Sequence, residues 1–230
     1  MYENSLDENQ FGFREGFGTR EALFTINVLL QKCRDQRKDV FACFLDCEKA
    51  FDRVKHDDMM RILKERNVNV YDRRIVGNLY WNQTATVLVE GNETESVNMC
   101  RGVKQGCILS PTLFNLYAND IFRKGLYDVD TGIKVNGKSI NKIRYADDTV
   151  LIADSIEELE SLVDRVNSEG QKYGLEINVA KTKLMTISRG EHPDAHLTIN
   201  GNHVERVREF KYLGTYISEQ LEPEIETKRG

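Results

Sequence analysis

The stretch Ile143-Arg144-Tyr145-Ala146-Asp147-Asp148-Thr149-Val150-Leu151-Ile152 decides how this chain is read. Two adjacent carboxylates interrupt a run of β-favouring apolar residues, and neither Gly nor Pro marks the break as an ordinary loop. The pattern predicts a hairpin of two short strands with the Asp pair at its tip. Neighbouring carboxylates repel and resist joint ionisation unless positive charge sits beside them. A divalent cation supplies such charge, since oxygen ligands suit Mg²⁺. An exposed polar turn is the other reading of the same residues, because Asp is a common turn residue.

A further carboxylate lies upstream. Val40-Phe41-Ala42-Cys43-Phe44-Leu45 is a nearly continuous apolar run ending in Asp46, the pattern of a strand buried on both faces. Asp46 is there either as a metal ligand or as a capping and turn residue. Strands lying side by side can bring Asp46 to the Asp147-Asp148 tip. Two divalent ions held about 3.5–4 Å apart by such oxygens activate an attacking hydroxyl and stabilise the leaving oxygens of an in-line displacement. Nucleotidyl transfer needs little else from a protein beyond positioning and charge.

Between these stretches, Arg101-Gly102-Val103-Lys104-Gln105-Gly106-Cys107 is a polar, glycine-punctuated loop. It leads into Ser110-Pro111, read as an N-cap followed by proline at the first helical position. Leu113, Phe114, Leu116, Tyr117 and Ile121 form the inward face of that helix. Glycines flanking Gln105 before a helix N-terminus suit close approach of a phosphate or ligand backbone; a plain connecting loop is the alternative.

Helical spacing of Ala22, Leu23, Ile26, Leu29, Leu30 and Cys33 predicts a helix capped by Thr19 and running to about Lys38. Arg14 and Arg20 beside it read equally as phosphate contacts or surface arginines. Further helices are expected over 56–65 and 71–81, and a hairpin of 84–90 with 93–99 around Gly91-Asn92. Trp81 and Met99 are placed in the core. Asn136-Gly137 marks another hairpin. Ser155-Ile156-Glu157-Glu158 is a capping box opening a helix that Gly174 closes. Short strands follow over 184–187, 197–200 and 203–207.

At 230 residues the chain can bury one substantial core, whole or divided into two lobes. Five cysteines, odd in number and without paired C-x-x-C spacing, read as reduced, mostly buried thiols. No apolar run approaches the roughly 18 residues of a membrane helix, and no secretory pattern opens the sequence. No membrane association and a cytoplasmic or nuclear location are the resulting expectations. The net charge of −5 argues against a generic nucleic-acid binder, whose basic surface drives affinity. It leaves open a carboxylate-and-metal enzyme that handles phosphates, because there the metal brings positive charge locally.

Three of these stretches also carry a family resemblance. Phe44-Leu45-Asp46-Cys47-Glu48-Lys49-Ala50-Phe51-Asp52, the loop and helix from Arg101 to Tyr117, and Tyr145-Ala146-Asp147-Asp148 resemble successive polymerase motifs of reverse transcriptases, in detail those of non-LTR (LINE-type) retrotransposons. Flanking blocks at 10–22, 174–182 and 212–214 resemble the family in the same order, so the likeness covers about residues 10–214.

The resemblance implies an α+β, right-hand polymerase palm, an antiparallel sheet backed by helices, with partial fingers and no thumb after residue 214. Residues 1–39 would be partial fingers, 40–70 the palm strand with the first Asp, 71–104 a fingers/palm connection, 105–214 palm and 215–230 the start of a thumb connection. Asp46, Asp147 and Asp148 match the catalytic aspartates, with the Cys47 carbonyl as an extra ligand to two Mg²⁺ ions, Mn²⁺ substituting. Phe51 matches the aromatic that closes off the ribose 2′ position. Gln105 and Gly106 match contacts to incoming nucleotide and template, and Arg14 a residue near the triphosphate. Lys181 matches a lysine near the departing pyrophosphate, and Tyr212-Leu213-Gly214 the grip on the primer. Glu15 and Phe17 stand where relatives often carry basic residues.

The implied activity is RNA-directed DNA synthesis from RNA template, DNA primer and dNTPs, within a larger element protein carrying an endonuclease and thumb. An inactive palm fragment with at most weak nucleic-acid binding is the alternative. A metal-dependent nuclease or phosphatase would share the carboxylates but leave Phe51, Gln105 and Lys181 without a reason.

Overall fold

The computed structural model describes residues 6–81, 83–104, 106–190 and 193–221. Helix α1 (Thr19–Asp35) leads into β1 (Val40–Leu45), and a 3₁₀ turn, Ala50–Arg53, follows the strand. Helices α2 (His56–Glu65) and α3 (Val70–Tyr80) come next. An arm of two-residue strands then projects: β2 (Thr84–Ala85), β3 (Leu88–Val89), β4 (Asn92–Glu93) and β5 (Val97–Asn98). Helix α4 (Ser110–Gly125) precedes a meander of β6 (Ile133–Val135), β7 (Lys138–Ile140), β8 (Lys142–Tyr145) and β9 (Asp148–Ala153). Helix α5 (Ile156–Lys172) is followed by β10 (Lys183–Ile187), β11 (Thr198–Ile199), β12 (Asn202–His203) and β13 (Glu205–Arg206). The hairpin of β14 (Glu209–Tyr212) and β15 (Thr215–Ser218) ends the described chain.

The central sheet runs β13-β10-β1-β9-β8, antiparallel except where β13 pairs with β10. All of β1 is buried, as its unbroken apolar run predicts. Side-chain alternation sends Val40, Ala42 and Phe44 to one face and Phe41, Cys43 and Leu45 to the other. The first face packs Ile26 and Leu30 of α1 with Tyr212 and Ile217 of the last hairpin. The second packs Leu159, Leu162 and Val163 of α5. A third cluster joins Ile62 of α2, Tyr80 of α3 and Phe114 and Tyr117 of α4. Each large side chain so buried contributes about 1.5–3 kcal/mol. The result is the α+β sheet-and-helix architecture expected of a palm.

Local chemistry moves several boundaries. Gly18, not Thr19, caps α1: the Glu21 carboxylate accepts the Gly18 N–H at 2.7 Å, and the helix stops at Asp35. Ser110 lies inside the first turn of α4, and its hydroxyl donates to the Lys104 carbonyl at 2.6 Å instead of capping. Trp81 and Met99 are surface residues, 49% and 43% exposed. The Trp81 ring lies across Gly77, where a Cβ would sit 2.3 Å from it. The 84–99 arm forms the expected hairpin as two nested short ladders, β2 with β5 and β3 with β4, joined where the Thr94 N–H donates to the Val87 carbonyl and the Val87 N–H to the Thr94 hydroxyl. Of the cysteines only Cys33 and Cys43 are buried; Cys100 is exposed, and Cys47 and Cys107 are half-buried. Among the described residues no helix is long and apolar enough to cross a membrane.

Candidate active site

Register builds the site. Phe44 pairs with Val150 and Leu45 with Thr149, the last pair of the ladder, so Asp46 and Asp148 are the next residues outward at that end of the sheet. Tyr145 pairs with Asp148, leaving Ala146 and Asp147 as a two-residue turn. Three carboxylates from two distant stretches therefore share one end of the sheet. Ala146 takes the left-handed backbone conformation, φ +58°, which a side chain makes costly. It is buried there.

The carboxylates feel one another. Burial, then the charges of Asp147 and Asp46, push Asp148 up to about 6. Burial, then Asp46, raises Asp147, against the pull of a hydrogen bond from its own N–H. Burial, then Asp147 and Asp46, pushes the Cys47 thiol up to about 12, so it stays protonated. Unrelieved repulsion of this kind is what a bound cation would remove. Even so, among the described residues no three acidic, His or Cys side chains close on one point as a ready ligand set.

A second segment is tied to the same end of β1. The Asn178 N–H donates to the Asp46 carbonyl at 2.8 Å and the Glu48 N–H to the Glu176 carbonyl at 3.0 Å. These bonds bracket Cys47 opposite Ile177 without using the Cys47 carbonyl. The following turn puts Lys181 Nζ 4.0 Å from Asp46 Oδ2, with the side chain 70% exposed. Asp46, Asp148, Lys181, Phe44, Phe210 and Tyr212 line a cavity of about 370 Å³; Asp147 is not part of that lining. The Tyr212 hydroxyl donates to the Asp148 carbonyl at 3.4 Å. Tyr212 precedes the tight Leu213-Gly214 turn, where both residues have positive φ.

Phe51, in the 3₁₀ turn after β1, stacks on Phe114 of α4 with ring centroids 4.4 Å apart. The 101–107 loop is stitched to that turn, since the Gly102 N–H donates to the Val54 carbonyl and the Val103 N–H to the Phe51 carbonyl. Gly102 lies at φ +95°, where a Cβ would be strained and would sit 3.2 Å from the Asp52 carbonyl oxygen, a tight contact. Gly106, at φ +80°, faces open space, so backbone conformation and not a protein neighbour calls for glycine. Gln105 lies outside the described residues. Arg14 folds back on its own segment, its Nη1 3.5 Å from the Asp7 and Gln10 carbonyls and its guanidinium over the Phe17 ring at 4.7 Å. Nothing recorded among the described residues ties it to the aspartates.

Sequence reasoning passed over what supports the turn. Residues 9–11 run beside β8: the Arg144 N–H donates to the Asn9 carbonyl at 2.9 Å and the Phe11 N–H to the Arg144 carbonyl at 2.8 Å. The Arg144 guanidinium is fully buried over the Phe122 ring at 4.3 Å. Burial pulls it down to about 10. Gln10 and Asn115 are buried polar side chains beneath the turn. The available signal is Asn115 itself, a polar residue between Phe114 and Leu116 on a helix whose buried positions are mostly apolar.

Comparison with known proteins bears on the same residues. The family described as Reverse transcriptase (RNA-dependent DNA polymerase) matches residues 1–217. A Pol polyprotein from a type-1 retrotransposable element R2 of Nasonia vitripennis is 28% identical over 79% of this chain and 18% of its own length. The RNA-directed DNA polymerase from mobile element jockey of Drosophila funebris is 26% identical over 94% of the chain and 24% of its own. The chain thus spans about a quarter or less of these relatives. Apo telomerase from Candida tropicalis, lacking its C-terminal domain, shares the fold at TM-score 0.64 and 16% identity, covering 91% of this chain and 39% of its own. Telomerase from the same organism, in complex with a fragment of telomeric RNA, matches at TM-score 0.65 and 15% identity, over 96% and 34%. With Asp46 and the Tyr145–Asp148 turn on adjacent strands and the family match running through both, the chain belongs to the reverse transcriptase family, in the company of non-LTR retrotransposon polymerases.

Proposed function

We propose that this chain carries the polymerase centre of an RNA-directed DNA polymerase, extending a DNA primer on an RNA template. The observation that carries the reading is the β1–β9 register, which brings Asp46 and Asp148 to the same end of the sheet, where they line one cavity with Lys181. Residues 40–70 and 105–214 would act as palm, with 1–39 as partial fingers and 71–104 as the fingers/palm connection. The donor set is of the oxygen type that suits hard divalent cations: three carboxylates, of which burial and mutual repulsion raise Asp147 and Asp148, and a Cys47 carbonyl that takes part in neither of the bonds joining its neighbours to residues 176 and 178. Asp46 and Asp147 would hold a Mg²⁺ pair, or Mn²⁺ in its place, with Asp148 acting chiefly through its charge. Such a pair, when bound, supplies activation of the attacking hydroxyl and charge relief on the leaving oxygens.

The chain's own groups do the remaining tasks. Lys181, exposed beside Asp46, would give a proton to the departing pyrophosphate. Phe51, braced by Phe114, would close off the ribose 2′ position and so favour deoxynucleotides. Gly106, with Gln105, would receive nucleotide and template, and Arg14 would have to leave Phe17 to reach a triphosphate. Tyr212-Leu213-Gly214, on the cavity wall, would steady the primer end. Extension of a primed RNA template in Mg²⁺, with Lys181→Ala beside wild type, tests this: the variant should lose on the order of 10²–10⁴-fold, the range of general acid catalysis. Equal rates remove Lys181 from the chemistry.

A second reading, a palm that binds nucleic acid without polymerising, draws on the open ligand set and the net charge of −5. Primer–template binding titrated over salt, without extension under any metal condition, would favour it.

A further inference from the structure

We propose that Gln10 and Asn115 are positioning residues for the catalytic turn, acting together through the carbonyl of Gly12. The proposal rests on the polymerase reading above but names residues outside its site.

Gln10 Nε2 donates to the Gly12 carbonyl at 3.1 Å and to Asn115 Oδ1 at 3.0 Å. Asn115 Nδ2 donates to the same Gly12 carbonyl at 2.7 Å. All three links are buried, with Gln10 0% and Asn115 1% exposed. Two side-chain amides thus converge on one backbone oxygen. What they hold is Gly12, pressed against the turn: a Cβ there would lie 2.6 Å from Ala146 N and 2.9 Å from the Tyr145 carbonyl carbon. Behind a residue held at φ +58°, that contact leaves the Tyr145–Ala146 peptide no space to relax. A strained conformation persists only when its surroundings over-determine it. Here the surroundings are the 9–11 ladder on β8 and the Gln10–Asn115 pair.

Gln10 Oε1 is buried and, among the described residues, accepts no hydrogen bond. Buried orphan acceptors are unfavourable, and sites that keep them commonly do so for function. Asn115 adds a connection, because it sits on α4, whose first turn anchors the 101–107 loop through Ser110 and Lys104. The helix that carries the nucleotide loop is therefore the helix that fixes the aspartate turn.

The test uses Asn115→Leu, Gln10→Leu, their double variant, and the near-isosteric Asn115→Asp, which keeps volume but loses the donor to Gly12. Two readouts are taken: hydrogen–deuterium exchange across residues 145–149, and kcat and KM for dNTP in primer extension. A lost buried hydrogen bond should speed exchange at the turn on the order of tenfold in all four variants, with Phe41–Leu45 of β1 unchanged. The kcat should fall on the order of 10²-fold while KM stays within a few-fold, as a misplacement of about 1 Å does. The double variant should be no worse than the more affected single one, since both act on one carbonyl. Turn exchange equal to wild type in Asn115→Asp, whether or not the Leu variants fold, overturns the proposal. So does faster exchange with kcat intact. If wild type extends no primer, the polymerase reading fails, and the exchange data alone decide whether the pair holds the turn.

Discussion

Two turns in this molecule make opposite bargains. The β8–β9 turn puts Ala146, a residue with a Cβ, at φ +58°, buried and walled in by Gly12 from another part of the chain. The β3–β4 turn of the arm uses Glu90 and Gly91, at φ +49° and +83°, with open space around Gly91. Around it Val87, Leu88, Val89 and Val97 are exposed, whereas Val150 to Ala153 beyond the catalytic turn are wholly buried. The arm turn is made locally, Gly91 taking positive φ freely and Glu90 taking it on an exposed surface. The catalytic turn is imposed by packing, and this fixes where Asp147 and Asp148 stand. Conformation dictated from outside is what a site needing fixed carboxylates requires.

If that contrast is right, single substitutions should fall unequally on the two turns. Gly12→Ala should be the most damaging of these changes: the new methyl meets backbone, so the turn must shift, costing about 1–3 kcal/mol of stability by overpacking and on the order of 10²-fold in kcat. Thermal melts together with primer extension would show both losses, and an unaltered enzyme would mean Gly12 does not press on the turn.

Charge gives a second asymmetry. In metal-free protein Asp148 holds its proton up to about pH 6, above the ordinary carboxylate range of the unfolded chain. Between those limits the folded state binds more protons, so its stability falls as pH rises through the window and levels off above it. Asp148→Asn should remove that slope and raise the melting temperature by a few degrees at pH 7 in EDTA, with little change at pH 4.

Ala146→Gly should stabilise the fold by about 1 kcal/mol, since glycine takes the left-handed conformation without the cost borne by alanine. Gly91→Ala should do the reverse by a similar or smaller amount and leave primer extension untouched. A melt that ranks these two the other way would erase the distinction between an imposed turn and a local one.

Much of the central sheet was legible because its signals are local. The apolar run ending at Asp46 and the interrupted run around Asp147-Asp148 gave two strands and their carboxylates. Ser155 capped α5 through the Glu158 N–H, as its box foretold. What sequence did not give was anything decided by contact across the fold. Trp81 looks like core by residue type, yet its ring is accommodated on the surface because Gly77 leaves a bare helix face beneath it. Arg14 looks like a free phosphate ligand, yet carbonyls of its own segment and the Phe17 ring hold its guanidinium. Gln10 and Asn115 are 105 positions apart, and no spacing rule connects them. Fine geometry around the aspartates depended on such non-local pairs.

The central claim is that the end of β1 and the turn after β8 form one polymerase centre. Primer extension on an RNA template in Mg²⁺, comparing wild type with Asp147→Asn, tests it most directly. The expected result is deoxynucleotide addition by wild type that falls at least on the order of 10³-fold in the variant, with primer–template binding preserved and a melting temperature no lower than wild type. Extension that proceeds equally well with Asn at 147 would contradict the account.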